Sequence, residues 1–200
     1  IIIATSPQFF TGISALLISK IKGIPWIIEV RDLWPEGIIV LKTDSIAYKL
    51  LEWIEEKYYK SASGIVTVTK SYIFDIQRRF GIDIDKFCVV YNGSNNKLFS
   101  QKEKKTTLIE QLKIKDKFIV GYAGTFGISH TLDFIVKSAP KIYDLRKDIH
   151  FLFIGSGAKE LEMKRIINEL NIINVTILPP VQKEKIEDYI SLFDIGIVPL

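Results

Sequence analysis

Sulfur is nearly missing from this 200-residue chain, which has one cysteine, Cys88, and one methionine, Met163. A single cysteine builds neither a disulfide framework nor a cysteine-based zinc site, and it fits a reducing compartment. Long hydrophobic runs are absent as well. No stretch reaches the roughly 18 uninterrupted apolar residues of a membrane-spanning helix. Blocks of one charge are also absent. Twelve basic residues face ten acidic ones up to Ser100, and fifteen face thirteen after it, so each half carries +2 of the total +4. That even spread gives nucleic-acid binding no support, whereas a mild positive balance suits an anionic ligand or a loose contact with a membrane surface. No Gly-Lys-Ser/Thr P-loop, full GxGxxG, GxSxG or HExxH occurs. Serine- or cysteine-hydrolase and metalloprotease chemistry therefore have no footing.

Apolar material, in contrast, is plentiful. Hydrophobic residues make up 48% of the chain and charged ones 25%, a balance that builds cores rather than disordered tails. Short runs rich in Val, Ile and Phe predict strands over 1–5, 26–30, 64–69, 87–91, 118–124, 150–155, 175–178 and 195–200. They are nearly continuous rather than alternating, which is how strands read when helices cover both faces. Helical patterns fall between them, over 10–22, 47–58, 71–80, 132–145, 158–170 and 183–192. In the second of these, Ala47, Leu50, Leu51, Ile54 and Tyr58 share one face, while Glu52, Glu55, Glu56 and Lys57 point to solvent. Asp44 or Ser45 is the expected cap. Strand–helix alternation with short connections predicts an α/β fold with parallel, doubly wound sheets. The polar stretch 92–107 interrupts the rhythm, with Leu98 and Phe99 as its lone apolar pair. It divides the chain into expected domains at 1–103 and 104–200. The chain opens and closes on strands and starts with Ile1, so we expect an internal piece of a longer protein, without a signal peptide.

In open parallel sheets, ligands bind beyond the carboxyl ends of the strands. The segment Gly155-Ser156-Gly157 sits there, ahead of a helix expected near Ala158. Glycines let backbone approach a ligand, and a helix start favours an anion. The segment is a phosphate-site candidate or a tight turn between strand and helix. Gly124, Thr125, Gly127 and His130 occupy the equivalent place after the strand at 118–124. Thr125 or Ser129 could cap the next helix or meet a phosphate, and His130 is either a phosphate donor or a surface residue. Arg31, Asp32 and Trp34 follow the strand at 26–30. Arg31 can grip an acidic ligand or pair with Asp32, and Trp34 offers a flat plate to a sugar or a lipid, or simply packs. Asp83-Ile84-Asp85 has a metal-site spacing but precedes a strand, which favours a turn. Cys88 reads as core and His150 as structural.

Taken in order, the pieces IIEVRDLWPEG, VYNGSNNKLF, VGYAGTFGISHTLDFIVKSA, FLFIGSGAKE and ILPPVQKEKIEDYISLFDIGIVPL resemble the retaining family 4 glycosyltransferases of the GT-B fold. RDLWPE is similar to the branch that builds bacterial surface polysaccharides, including fucosamine transferases of O-antigen and capsule assembly. The resemblance implies two Rossmann-like domains with parallel sheets, both truncated here, the first for acceptor and the second for donor. It places Gly124, Thr125, Gly127, His130, Gly155, Ser156 and Gly157 at the donor diphosphate and Pro180 and Val181 at the nucleobase. Arg31, Asp32 and Trp34 fall on the acceptor side, and Asn92 and Gly93 at the crevice. It implies no cofactor and no metal. The substrate would be a nucleotide sugar, expected to be UDP-linked, and the acceptor lipid-linked or an oligosaccharide. The expected location is cytoplasmic, peripheral on the inner face of the membrane. Many members carry Arg and Lys where this chain has Thr125 and His130. The Glu-x7-Glu motif and the N-terminal glycine loop are expected beyond Leu200 and before Ile1, so the piece alone is expected to be inert. A non-catalytic nucleotide- or sugar-binding module, or an epimerase of the same fold, are the other readings.

Overall fold

The computed structural model describes residues 1–33, 45–96, 99–100 and 102–199, and the chain forms two compact units, Ile1–Gly93 and Ser94–Leu200. The division expected at 103/104 lies ten residues further on. The difference has a physical cause, because the intervening segment is tied to the second unit. Ser100 and Lys102 both bond there to Glu187.

In the first unit, β1 (Ile2–Ser6), β2 (Trp26–Val30), β3 (Gly64–Thr67) and β4 (Phe87–Val89) form a parallel sheet in that order. Helices α1 (Phe9–Lys22), α2 (Ile46–Ser61) and α3 (Lys70–Phe80) connect them. The order advances in one direction, so right-handed crossovers put all three helices on one face. The cross-strand row Ala4, Ile28, Ile65 lies in that core with Trp26, Val30, Tyr58 and Ile76. On the other face the register aligns Thr5, Glu29, Val66 and Cys88, and the Thr5 hydroxyl donates to Glu29 at 2.8 Å. Cys88 is exposed there. The expectations that helices cover both faces of this sheet and that Cys88 is core are therefore not met among the described residues.

Helix α2 also turns a different side inward than its apolar spacing suggests. The Ser45 hydroxyl caps it, accepting from the Tyr48 N–H at 3.1 Å, while Asp44 lies outside the described residues. Tyr48, Glu55, Tyr58 and Tyr59 are buried, and Leu50 is 54% exposed. Glu55 goes inside because its charge is matched. Its carboxylate accepts from the Tyr59 hydroxyl at 2.7 Å and from Arg79 of α3 at 2.8 Å.

The second unit runs α4 (Thr106–Leu112), β5 (Phe118–Ala123), α5 (Leu132–Leu145), β6 (Ile149–Ile154), α6 (Glu160–Glu169), β7 (Val175–Leu178), α7 (Ile186–Ile190) and β8 (Ile195–Gly196). Helix α4 begins at the end of the polar stretch 92–107 and runs through residues to which the sequence pattern assigns no element. The parallel strand order is β7-β6-β5-β8, so winding reverses at β5 and both faces are covered. Tyr122, Leu132, Val136, Phe153 and Met163 pack on one face, and Ile119, Leu152, Ile154 and Leu192 on the other. That reversal opens a crevice at the carboxyl end of β5. His150 is structural: its Nε2 lies 2.8 Å from the Thr176 hydroxyl across β6 and β7. Asp83 accepts from the Asp85 N–H at 3.2 Å and so shapes a turn before β4. Among the described residues, no helix is long and apolar enough to cross a membrane.

Candidate functional site

Two loops leave the carboxyl ends of β5 and β6 and are bonded to each other. The Gly124 N–H donates to the Ile154 carbonyl at 2.9 Å, and the Phe126 N–H to the Ser156 carbonyl at 2.8 Å. The Lys159 N–H returns to the Phe126 carbonyl at 3.0 Å. This approach demands glycine. Gly155 and Gly157 have φ of 147° and 156°, values that L side chains rarely adopt. A Cβ on Gly155 would run into the Gly124 carbonyl oxygen, and one on Gly157 would sit 2.5 Å from that of Phe126. Both glycines therefore serve the packing of one loop on the other.

The joined loops form one wall of a concavity of about 460 Å³. Gly124, Thr125, Gly155, Ser156, Pro180 and Val181 line it, together with Ala123 and Ile154. Phe99, Ile186 and Ile190 complete its apolar side. The pocket has two chemical ends, one of loop backbone and hydroxyls and one of flat apolar surface. Among the described residues, the N–H groups of Thr125, Ser156, Gly157 and Ala158 have no protein acceptor. Gathered donors of this kind are an anion site in waiting.

Gly127, His130 and Gly157 are not among the lining residues. The His130 Nδ1 lies 2.8 Å from the Thr125 carbonyl oxygen, and the Tyr122 hydroxyl donates to the same oxygen at 2.7 Å. A carbonyl only accepts, so Nδ1 carries the proton and Nε2 does not in the neutral ring. His130 thus staples the loop. Burial pushes the Tyr122 phenol up, which keeps it a donor. Residues Ile128–His130 form a separate short turn, and α5 starts only at Leu132, capped by neither Thr125 nor Ser129. Helix α6 starts at Glu160 rather than near Ala158.

In the first unit, Arg31 and Asp32 are exposed just beyond β2, and no ion pair joins them among the described residues. The Ser6 hydroxyl donates to the Asp32 carbonyl at 3.0 Å, linking the ends of β1 and β2. Trp34 lies outside the described residues. Asn92 and Gly93 are exposed in the segment after β4. The sequence reading omits Phe99, Ile186 and Ile190 from the pocket. A signal exists for each: Phe99 is an apolar residue stranded in a polar stretch, and Ile186 and Ile190 stand one helical turn apart on α7.

Residues 1–93 match the family described as Glycosyl transferase 4-like domain, and residues 104–200 match Glycosyl transferases group 1. The chain has the GT-B glycosyltransferase fold, with one glycosyl transferase domain model matched on each half. It is 22% identical to a D-inositol 3-phosphate glycosyltransferase of Paenarthrobacter aurescens (strain TC1), over 97% of this chain and 49% of that protein. It is 26% identical to the probable glycosyltransferase WbjE of Pseudomonas aeruginosa, over 68% of this chain and 34% of that one. The fold is shared with Anabaena Alr3699/HepE, solved in complex with UDP and glucose, at a TM-score of 0.74 and 14% identity. That match covers 97% of this chain and 51% of the Anabaena chain. The chain thus spans half or less of the length of the curated relatives it matches.

Proposed function

We propose that this chain is part of a glycosyltransferase that moves a sugar from a nucleotide-sugar donor to an acceptor with retention, as a hexosyltransferase. The observation that carries the reading is the loop pair at the ends of β5 and β6. The unpaired N–H groups of Thr125 and Ser156 border a pocket whose opposite side is apolar. A nucleoside diphosphate has the matching two ends, an anionic diphosphate and a flat base. The loop donors would bind the diphosphate and stabilise the negative charge that grows on it as the sugar departs. Fixed backbone donors do this without reorganising. Support for a UDP-linked donor comes from the Anabaena protein, whose structures hold UDP and UDP-glucose.

The acceptor we favour is lipid-linked or a growing polysaccharide, in the assembly of bacterial surface polysaccharide of the lipopolysaccharide or capsule kind, along the fucosamine-transferase-like branch. It would approach the first unit near Arg31, Asp32 and Trp34. A groove elsewhere on the first unit, between α1 and α2, supports a membrane location on the cytoplasmic side. About 510 Å³ in volume, it is lined by Leu16, Leu17, Ile54 and Trp53, with Lys20, Lys57 and Lys60 at its rim. Large apolar side chains bordered by lysines and by no acidic lining residue suit an anionic bilayer.

Titration of the intact protein with UDP, GDP and ADP, followed by donor hydrolysis and transfer across a panel of nucleotide sugars, tests the reading. We expect one nucleoside diphosphate to bind and Thr125→Glu to abolish binding, because it puts a carboxylate beside the diphosphate. Thr125 is exposed, so the melting temperature should hold. A wild-type protein that binds none of the three, or a Thr125→Glu protein that binds as well as wild type, overturns it.

A further inference from the structure

The segment that enters the second unit is pinned at one point. Ser100 donates twice to Glu187 Oε1, from its N–H at 3.2 Å and from its hydroxyl at 3.1 Å. The Lys102 ammonium takes Oε2. Glu187 is only 6% exposed, although it stands on the short helix α7. Its neighbours Ile186 and Ile190 line the apolar end of the donor pocket, and so does Phe99, the residue just before Ser100. A single buried carboxylate therefore holds the segment next to Phe99 while its own helix supplies the adjoining wall. Lys102 chiefly keeps this carboxyl below the usual range, so it is charged when it holds the segment. The companion pairs Lys104–Asp194 and Lys105–Asp188 are more open to solvent and contribute little by themselves. Bonds to a buried charge are the strong members of the set.

We propose that Glu187 is a positioning residue for donor binding: it seats Phe99 as the wall on which the nucleoside rests, so that its hold on Ser100 and Lys102 sets nucleotide affinity. The proposal rests on the donor-pocket reading above. Glu187 touches neither nucleotide nor sugar and acts through the segment it holds.

Calorimetric titration of the intact protein with UDP and with GDP tests this, alongside amide hydrogen exchange at Ser100. Glu187→Ala should weaken binding of the preferred nucleotide about tenfold and speed exchange at Ser100. Glu187→Gln should fall between, since its amide oxygen still accepts from Ser100 but no longer holds Lys102. Phe99→Ala should match Glu187→Ala, and the double variant should be no weaker than Phe99→Ala alone, because both act through one wall. In turnover, the donor KM should rise more than kcat falls. Ser100→Ala and Lys102→Met remove the partners from the more exposed side and must shift affinity the same way, even where a Glu187 variant folds poorly. Additive effects of Phe99→Ala and Glu187→Ala, or wild-type affinity in Glu187→Ala, remove the role from Glu187 and leave the pocket standing. A wild-type protein that binds neither nucleotide fails the pocket itself, and this proposal with it.

Discussion

Thr125 stands where an anion would meet the loop, and it brings a hydroxyl and an N–H but no positive charge. In the proposed donor site the diphosphate is therefore met by backbone N–H groups and the hydroxyls of Thr125 and Ser156. A guanidinium there adds charge-assisted, two-pronged bonds, so Thr125→Arg should tighten UDP binding about tenfold, as read by calorimetry. His150 makes a second prediction. Its burial, with Lys117 nearby, lowers its pKa from 6.5 to about 4. The folded chain keeps this ring neutral while the unfolded chain protonates it, so its contribution is present above about pH 6.5 and is lost as pH falls towards 4. Thermal melts at pH 7 and pH 5 should show a drop in melting temperature that His150→Gln reduces. An equal drop in the variant would remove the effect from His150.

Helices α2 and α3 are joined by charge where most helix pairs use apolar contact alone. Glu55, 3% exposed, holds the Arg79 guanidinium, which also reaches Glu52 and Asp75. Arg79→Met leaves Glu55 in the core without its main counter-charge. The expected cost is about 3 kcal/mol in urea unfolding of the intact protein, far above that of a surface pair. The same pair explains why α2 is misread from its sequence. Apolar spacing selects Leu50 and excludes Glu55, because periodicity counts hydrophobic residues and cannot see a partner twenty-four positions away. Helix α5 is different. Its burial follows its spacing, and the range 132–145 read from sequence is the observed Leu132–Leu145. Helix α4 is hidden by its lysine-rich approach, since the polar run before Thr106 looks like connector. The pocket loops are legible because glycine after a strand is a strong local signal. The meeting of Phe99 with Ile186 is not, because the carboxylate that holds the neighbouring Ser100 stands on α7, eighty-seven positions away.

Across the whole chain, the eight strands announce themselves, but the covering of their faces does not. Near-continuous apolar runs suggest helices on both sides, and the second sheet has them. Among the described residues the first sheet has them on one side only, because its strands advance in one direction. Sequence composition cannot distinguish these cases, whereas strand order does. The proposed membrane contact belongs to this scale as well. Leu17, Ile21, Leu50 and Trp53 are exposed along α1 and α2, with Lys20 and Lys57 beside them. The intact protein should co-sediment with vesicles containing anionic phospholipid and less with purely zwitterionic ones. Trp53→Glu should reduce that binding several-fold while leaving UDP affinity alone, since Trp53 belongs to the first unit and the donor loops to the second. Equal sedimentation of the variant would remove this groove from the membrane contact.

The sheet face that no described helix covers also carries the chain's sole thiol, in a row with Thr5, Glu29 and Val66. A maleimide dye can therefore attach at Cys88 alone, without prying apart the packing beneath α1–α3. The conjugate is homogeneous by construction, and a change in its emission reports whatever surface comes to rest against those strands.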